Sequence, residues 1–227
     1  MAAAVFHSQA HSEAFSGTTE TLSASPASGN SNVVAYAVFF SRGSYTFSAI
    51  TWNGETMTEI GGSATQGNVT VTSFILKNPT VDGAAHDLSW TTSSARNQAA
   101  FIVFVKDVDQ TTSDDGNDDL GQSPGTSSSN AVAGETGDLI LAFIGQEDDG
   151  DPTYVPTGTE VQDVFKSGSS AYIAANFQTY ASAASVDADW TWTPSAANIS
   201  RSLNVNTAAA GGLSIPIAHH HYQQLQR

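Results

Sequence analysis

A serine framed by glycines, Gly121-Gln122-Ser123-Pro124-Gly125, is the one stretch of the chain that spells a catalytic pattern outright. In a hydrolase such a serine sits on a sharp turn between a strand and a helix, and the N–H of the following residue helps to bind the oxyanion. Here the following residue is Pro124, which has no N–H, and the flanks are Asp/Gly-rich and Ser/Thr-rich rather than strand and helix. The pattern fails its own mechanics, and the chain is expected not to be an enzyme. Two acidic stretches offer different chemistry: Asp114, Asp115, Asp118 and Asp119 around Gly116-Asn117, and Asp148, Asp149 and Asp151 after Glu147. Crowded carboxylates repel one another unless they are hydrated or bridged by a hard cation, and calcium takes six to eight oxygen ligands. Neither stretch has the spacing of an EF-hand. They are expected to be surface loops, with calcium the candidate ion and no other cofactor in view.

Histidine and tryptophan supply the remaining candidates. Neighbouring side chains of an extended segment point to opposite sides, so His219, His220 and His221 do not converge on one metal within a single chain. They fit better in a contact segment with Leu213, Ile215, Ile217, Tyr222 and Leu225. His86, beside Asp87, is expected at a turn. Trp190 and Trp192 lie two apart and would share one face of a strand, the arrangement by which exposed aromatic pairs stack on sugar rings. The competing expectation is that both lie in the core, as tryptophans in sandwiches do.

Composition narrows the classes of partner. Charged residues are 13% of the 227, with 22 acidic against 7 basic, so the net charge of −15 repels phosphates and leaves no basic patch for nucleic acid. With no cysteine there are no disulfides or thiolate ligands, and the core must hold by packing alone. No apolar run is long enough to insert in a membrane, and the first residues, Met1-Ala-Ala-Ala-Val5-Phe6-His7-Ser8, lack a basic start and an apolar signal stretch.

The elements that must position these residues read as strands. Short stretches rich in Val, Ile, Phe, Thr and Tyr recur between Gly, Asn, Asp, Ser and Pro clusters. Ten are expected: Asn32 to Phe40, Tyr45 to Trp52, Gly67 to Leu76, His86 to Trp90, Gln98 to Val108, Asp138 to Gly145, Glu160 to Phe165, Ala171 to Thr179, Ala188 to Thr193 and Ser200 to Asn206. Val33 to Phe40 and Phe101 to Val105 are apolar on both alternating sets of positions, as strands covered on both faces are. Asn68 to Thr72 and Ser202 to Asn206 alternate and are expected to be half exposed. Asn53-Gly54 marks a tight hairpin. Asp109 to Thr136 is expected to be a long polar surface loop or a divide between halves. Asp87 to Ala95 echoes Ala188 to Ala197, which suits a sandwich of two similar halves without establishing a duplication.

These strands specify an all-β fold, a two-sheet antiparallel sandwich of jelly-roll type over residues 32–207, with an N-terminal arm at 1–31 and a C-terminal contact arm at 208–227. Thr46-Phe47-Ser48-Ala49-Ile50-Thr51-Trp52-Asn53-Gly54-Glu55-Thr56-Met57-Thr58, then Val71-Thr72-Ser73-Phe74-Ile75-Leu76-Lys77-Asn78-Pro79, then Phe101-Ile102-Val103-Phe104-Val105-Lys106-Asp107-Val108-Asp109-Gln110 resemble a jelly-roll module of phage virion proteins and bacterial surface proteins. In that module a strand ends in a W-x-G turn, a W-x-L-x-x-P strand follows, and G-V-D-Q-T comes later. The resemblance covers roughly residues 30 to 207. The chain departs from it at Phe74, where an aromatic-leucine pair is usual, and at Asp107, where a glycine is. It implies a structural protein on the outside of a tailed-phage particle, a capsid decoration (cement) protein or a head or tail fibre module, assembled in the host cytoplasm. Its expected partners are copies of itself, a trimer first, and other virion proteins. The alternative is an adhesion module that binds a host surface glycan.

Overall fold

The computed structural model describes residues 5–43, 46–95, 97–147, 152–166, 173–181 and 185–208. They form an all-β, antiparallel, sandwich-like arrangement, as the periodicity predicts. The strands are β1 (Val5–Phe15), β2 (Thr19–Ala24), β3 (Val34–Arg42), β4 (Phe47–Trp52), β5 (Glu55–Thr56), β6 (Thr58–Gln66), β7 (Val69–Lys77), β8 (His86–Thr92), β9 (Gln98–Lys106), β10 (Asp114–Ala133), β11 (Leu139–Glu147), β12 (Thr153–Pro156), β13 (Thr159–Lys166), β14 (Ile173–Ala181) and β15 (Ser185–Val205). They make three sheets where two were expected: β1-β9-β3-β7-β6, β2-β8-β4-β5, and β10-β15-β11-β14-β13 with β12 added alongside β15.

The order of the third sheet repeats that of the first. Val34 pairs with Lys77 on one side and Val105 on the other, and Leu139 pairs with Ala181 and Val205 in the same way. The second sheet has its counterpart in the far ends of β10 and β15 with β12: Glu20 pairs with Trp90 as Ser128 pairs with Trp190, and Ser48 pairs with Thr91 as Val155 pairs with Thr191. The echo between Asp87–Ala95 and Ala188–Ala197 is therefore a repeat in the fold, with Trp90 matched to Trp190.

The two halves pack through their five-stranded faces. One core cluster draws Tyr36, Val38 and Phe101 from the first half and Leu141, Phe143 and Phe177 from the second, with the Phe143 and Phe177 rings stacked at 4.4 Å. Contacts across the seam come in matched pairs, β1 with β13 and β10 with β6, as an approximate two-fold relation requires. Each half also has its own core against its outer layer, around Phe39, Trp52 and Phe104 in one and Ile140, Ile144 and Trp190 in the other. The result is four stacked layers, so β3, β9 and β11 are buried on both faces up to their last residue.

The seam is not symmetric in its side chains. Phe40 and Gly145 occupy matched places, and the Phe40 ring lies where a Cβ on Gly145 would stand, 2.8 Å from Cε1. Phe101 is matched by Arg201, and Ser73 by Phe177. Where Phe101 meets Phe177 at a ring separation of 6.3 Å, the related contact is a hydrogen bond from Arg201 to the Ser73 hydroxyl. Arg201 is fully buried, and it also donates to the Ile60 carbonyl at 3.3 Å and the Gly62 carbonyl at 2.8 Å. Arg42 and Glu147, also matched, form an ion pair across the seam.

Several expectations require correction. Residues 5–15 and 19–24 are not an arm: they pair with β9 and β8, and Leu22 and Ala24 are buried. A Ser/Ala/Thr-rich edge strand is held by ladder hydrogen bonds and so shows little apolar period. Asp109 to Thr136 contains β10, paired along its length with β15. Asn68–Thr72 and Ser202–Asn206 do not alternate in exposure, because residues 69–72 and 202–205 are buried throughout. Ser202 and Asn204 tolerate burial because Asn130 donates to Ser202 Oγ at 3.2 Å and Asn204 donates to Asp138 Oδ2 at 3.0 Å. Two expected strands fuse into β15, which carries a cis Thr193-Pro194 bond. Asn53 and Gly54, at φ 49° and 77°, make the tight hairpin between Trp52 and Glu55. The contact segment with Leu213, Ile215, Ile217, His219, His220, His221, Tyr222 and Leu225 lies outside the described residues.

Candidate functional site

Gly121 to Gly125 lies inside β10, at irregularities in its register with β15, and no helix follows it. The nucleophile-elbow pattern is therefore not realised. Asp114, Asp115, Asp118 and Asp119 belong to the same strand, which corrects the expectation of a loop. Extended chain rises about 3.3 Å per residue, so the stretch spans on the order of 15 Å rather than closing around an ion. Asp148, Asp149 and Asp151 fall outside the described residues. Among the described residues no three His, Cys, Asp or Glu side chains gather as metal ligands would.

Trp190 and Trp192 share a face, as the spacing predicts, but that face is turned inward. They are 1% and 2% exposed, which overturns the stacking platform. The reason is the added outer layer, in which β15 carries both rings over Ile140, Ala142 and Ile144. Trp190 donates to Asn176 Oδ1 at 3.1 Å, whereas Trp90 donates to Gln98 Oε1 at 2.8 Å. Asn198 stands where the first half has Gln98, and its shorter side chain leaves Oδ1 without a hydrogen-bond partner among the described residues. Trp190→Ala is expected to destabilise the protein by about 3–5 kcal/mol, since it empties a packed site and strands Asn176. Urea unfolding followed by circular dichroism measures this, and a loss below about 1 kcal/mol would show that the ring is not part of the core.

His86 opens β8 and faces Asp82 at 2.8 Å. The Ala84 backbone N–H, followed by His86, holds the Asp82 carboxyl below its ordinary range. This pair ties down the loop that also receives Trp52 Nε1 on the Thr80 carbonyl at 3.1 Å. Its role is to fix a turn.

Two open depressions mark the surface. One, of about 600 Å³, runs between Thr58, Ile60, Ile75 and Leu76 on one side and Thr111 and Ser113 on the other. Lys77 Nζ crosses it to the Thr111 carbonyl at 3.1 Å, and Asp109 accepts from the Thr111 and Thr112 N–H groups at 2.6 and 3.1 Å. These backbone bonds keep the Asp109 carboxyl below its ordinary range. They anchor the link between the halves.

The other depression, of about 530 Å³, opens on the outer layer of the second half. Its hydroxyl groups come from Thr126, Ser127, Thr153, Thr191 and Thr193, and its apolar part from Trp192 and Val155. Val155 is 58% exposed, the one large apolar side chain so exposed among the described residues. Sequence reading did not bring these residues together, because they come from three strands and the register of β12 on β15 was not visible in the pattern. The signal that was available is the threonine on each side of Trp192, which alternation turns outward when the ring turns in. The chain matches no protein-family model, no curated protein and no solved structure.

Proposed function

We propose that the protein is a non-enzymatic structural module on the outside of a tailed-phage particle, as a capsid decoration protein or a head or tail fibre element. The observation that carries the reading is at Asp107. The virion module that the sequence resembles has a glycine there, and Asp107 has φ 60°, the left-handed backbone that favours glycine. The Trp52-Asn53-Gly54 turn, a tight hairpin, likewise stands where the module has its W-x-G turn, which supports the reading. A slab of four layers with central strands buried on both faces suits a part that must keep its shape while bearing load. In this reading the partners are copies of the chain, in a trimer, and other virion proteins, with contacts supplied by the segment beyond residue 208.

High-resolution imaging of purified particles tests the proposal. A symmetric density into which the four-layer slab fits is the expected result, and absence of the protein from purified particles overturns it.

A further inference from the structure

The repeat in the fold makes the first half an internal control for the second. By register, the hydroxyl residues around the 530 Å³ depression have counterparts: Thr191 in Thr91, Thr193 in Ser93, Ser127 in Thr19 and Thr153 in Thr46. Its two apolar residues do not. Val155 stands where the first half has Ser48, and Trp192 where it has Thr92. Trp192 belongs to the buried core of its half, but the fold does not need an apolar group at Val155, because the first half builds the same layer with Ser48. Thr92 even serves that half internally, donating to the Ser94 carbonyl at 3.1 Å. An exposed Val155 therefore contributes nothing to the core and something to a surface.

We propose that this groove binds a neutral saccharide. The lining supplies five rotatable hydroxyls, each able to donate or accept, around the exposed apolar side chain of Val155, with the buried Trp192 ring as the floor. A pyranose has the complementary surface, a ring of hydroxyls and a face of C–H groups. Among the described residues the groove is lined by hydroxyl and apolar groups, and a chain of net charge −15 favours an uncharged ligand over an anionic one. The groove lies on an outermost layer, with nothing of the described chain above it. This inference does not rest on the particle reading: a saccharide can be bound by a virion protein or by any other surface module.

The test is titration of the full chain with methyl pyranosides of glucose, galactose, mannose and N-acetylglucosamine, and with neutral oligosaccharides of each, followed by two-dimensional NMR. Saturable shifts confined to residues 126–127, 153–155 and 191–193 are expected for at least one of them. Val155→Asp, an exposed change that leaves the core intact, should weaken binding by about tenfold or more. Ser48→Asp, at the matched place in the first half, should leave it unchanged. Absence of saturable shifts with every probe overturns the proposal, as do shifts that persist undiminished in Val155→Asp. Shifts that appear on raising protein concentration without sugar would assign the groove to a second copy of the chain and overturn it too.

Discussion

Gly145→Val should unfold the protein or bring it close to unfolding, with a loss above about 3 kcal/mol. The Phe40 ring occupies the space into which the new side chain must go, and the strands on both sides of the seam are too tightly packed to part. The clash is with a ring wedged in the core rather than with the free end of a long side chain, so it has no cheap escape. Phe40→Ala alone should also be costly, by about 3–5 kcal/mol, because it leaves a cavity. The double variant decides the cause. If the seam is a knob in a hole, Phe40→Ala with Gly145→Val should be less destabilised than the two losses added, by about 2 kcal/mol. Urea midpoints of the four proteins give the coupling, and simple additivity would show that Gly145 is needed for some reason other than Phe40.

Removal of the buried guanidinium should be comparably severe. Arg201→Ala withdraws donors from the Ile60 and Gly62 carbonyls and from Ser73, all near the seam, and opens a cavity in its place. A loss of about 3–5 kcal/mol is expected. Arg201→Lys keeps the charge but has no planar fork to span the two carbonyls, so it should recover only part of the loss. Thermal unfolding of both variants checks this. Equal stability of Arg201→Ala and the parent would mean that the carbonyls find other donors and that β6 does not depend on the guanidinium.

The central strands were legible because their physics is local. Val33–Phe40 and Phe101–Val105 are apolar at every position, and only a strand covered on both faces makes use of that. Asn53-Gly54 was legible for the same reason, since the turn is decided by two residues. What was hidden depends on partners distant in the chain. β1, β2 and β10 are edge or outer strands built of Ser, Thr, Ala, Gly and Asp, and their backbone hydrogen bonds leave no trace in hydropathy. Ser202 and Asn204 look like solvent-facing residues, and nothing within the sequence window reveals that Asn130 and Asp138 are waiting to satisfy them. The tryptophan pair shows both sides of the limit: the spacing correctly put Trp190 and Trp192 on one face, but which way that face turns was decided by an outer layer the pattern did not announce. The hydroxyl groove was hidden more deeply, since its parts are assembled by the pairing of β12 with β15.

The path of the chain through the repeat also sets an order of events during synthesis. Every strand of the first half lies within residues 5–106, so its two sheets can close as soon as β9 has emerged. The second half closes in the same way only when β15 has emerged. β10 is made first, but its partner over its whole length is β15, the last strand, and β12 also waits for β15, while β11 can pair with β14 before it. Until the strands of the second half have been made, at about 5–20 residues per second, the inner face of the first half, with Tyr36, Val38, Phe40 and Phe101, has no cover. A nascent chain at that stage presents an apolar sheet face together with a long unpaired strand, the combination most exposed to association with a neighbouring nascent copy. The side-chain asymmetry of the seam works against that error. A second first half offers another Phe40 where Gly145 should be, so the premature face fits its own chain's second half better than it fits a copy of itself.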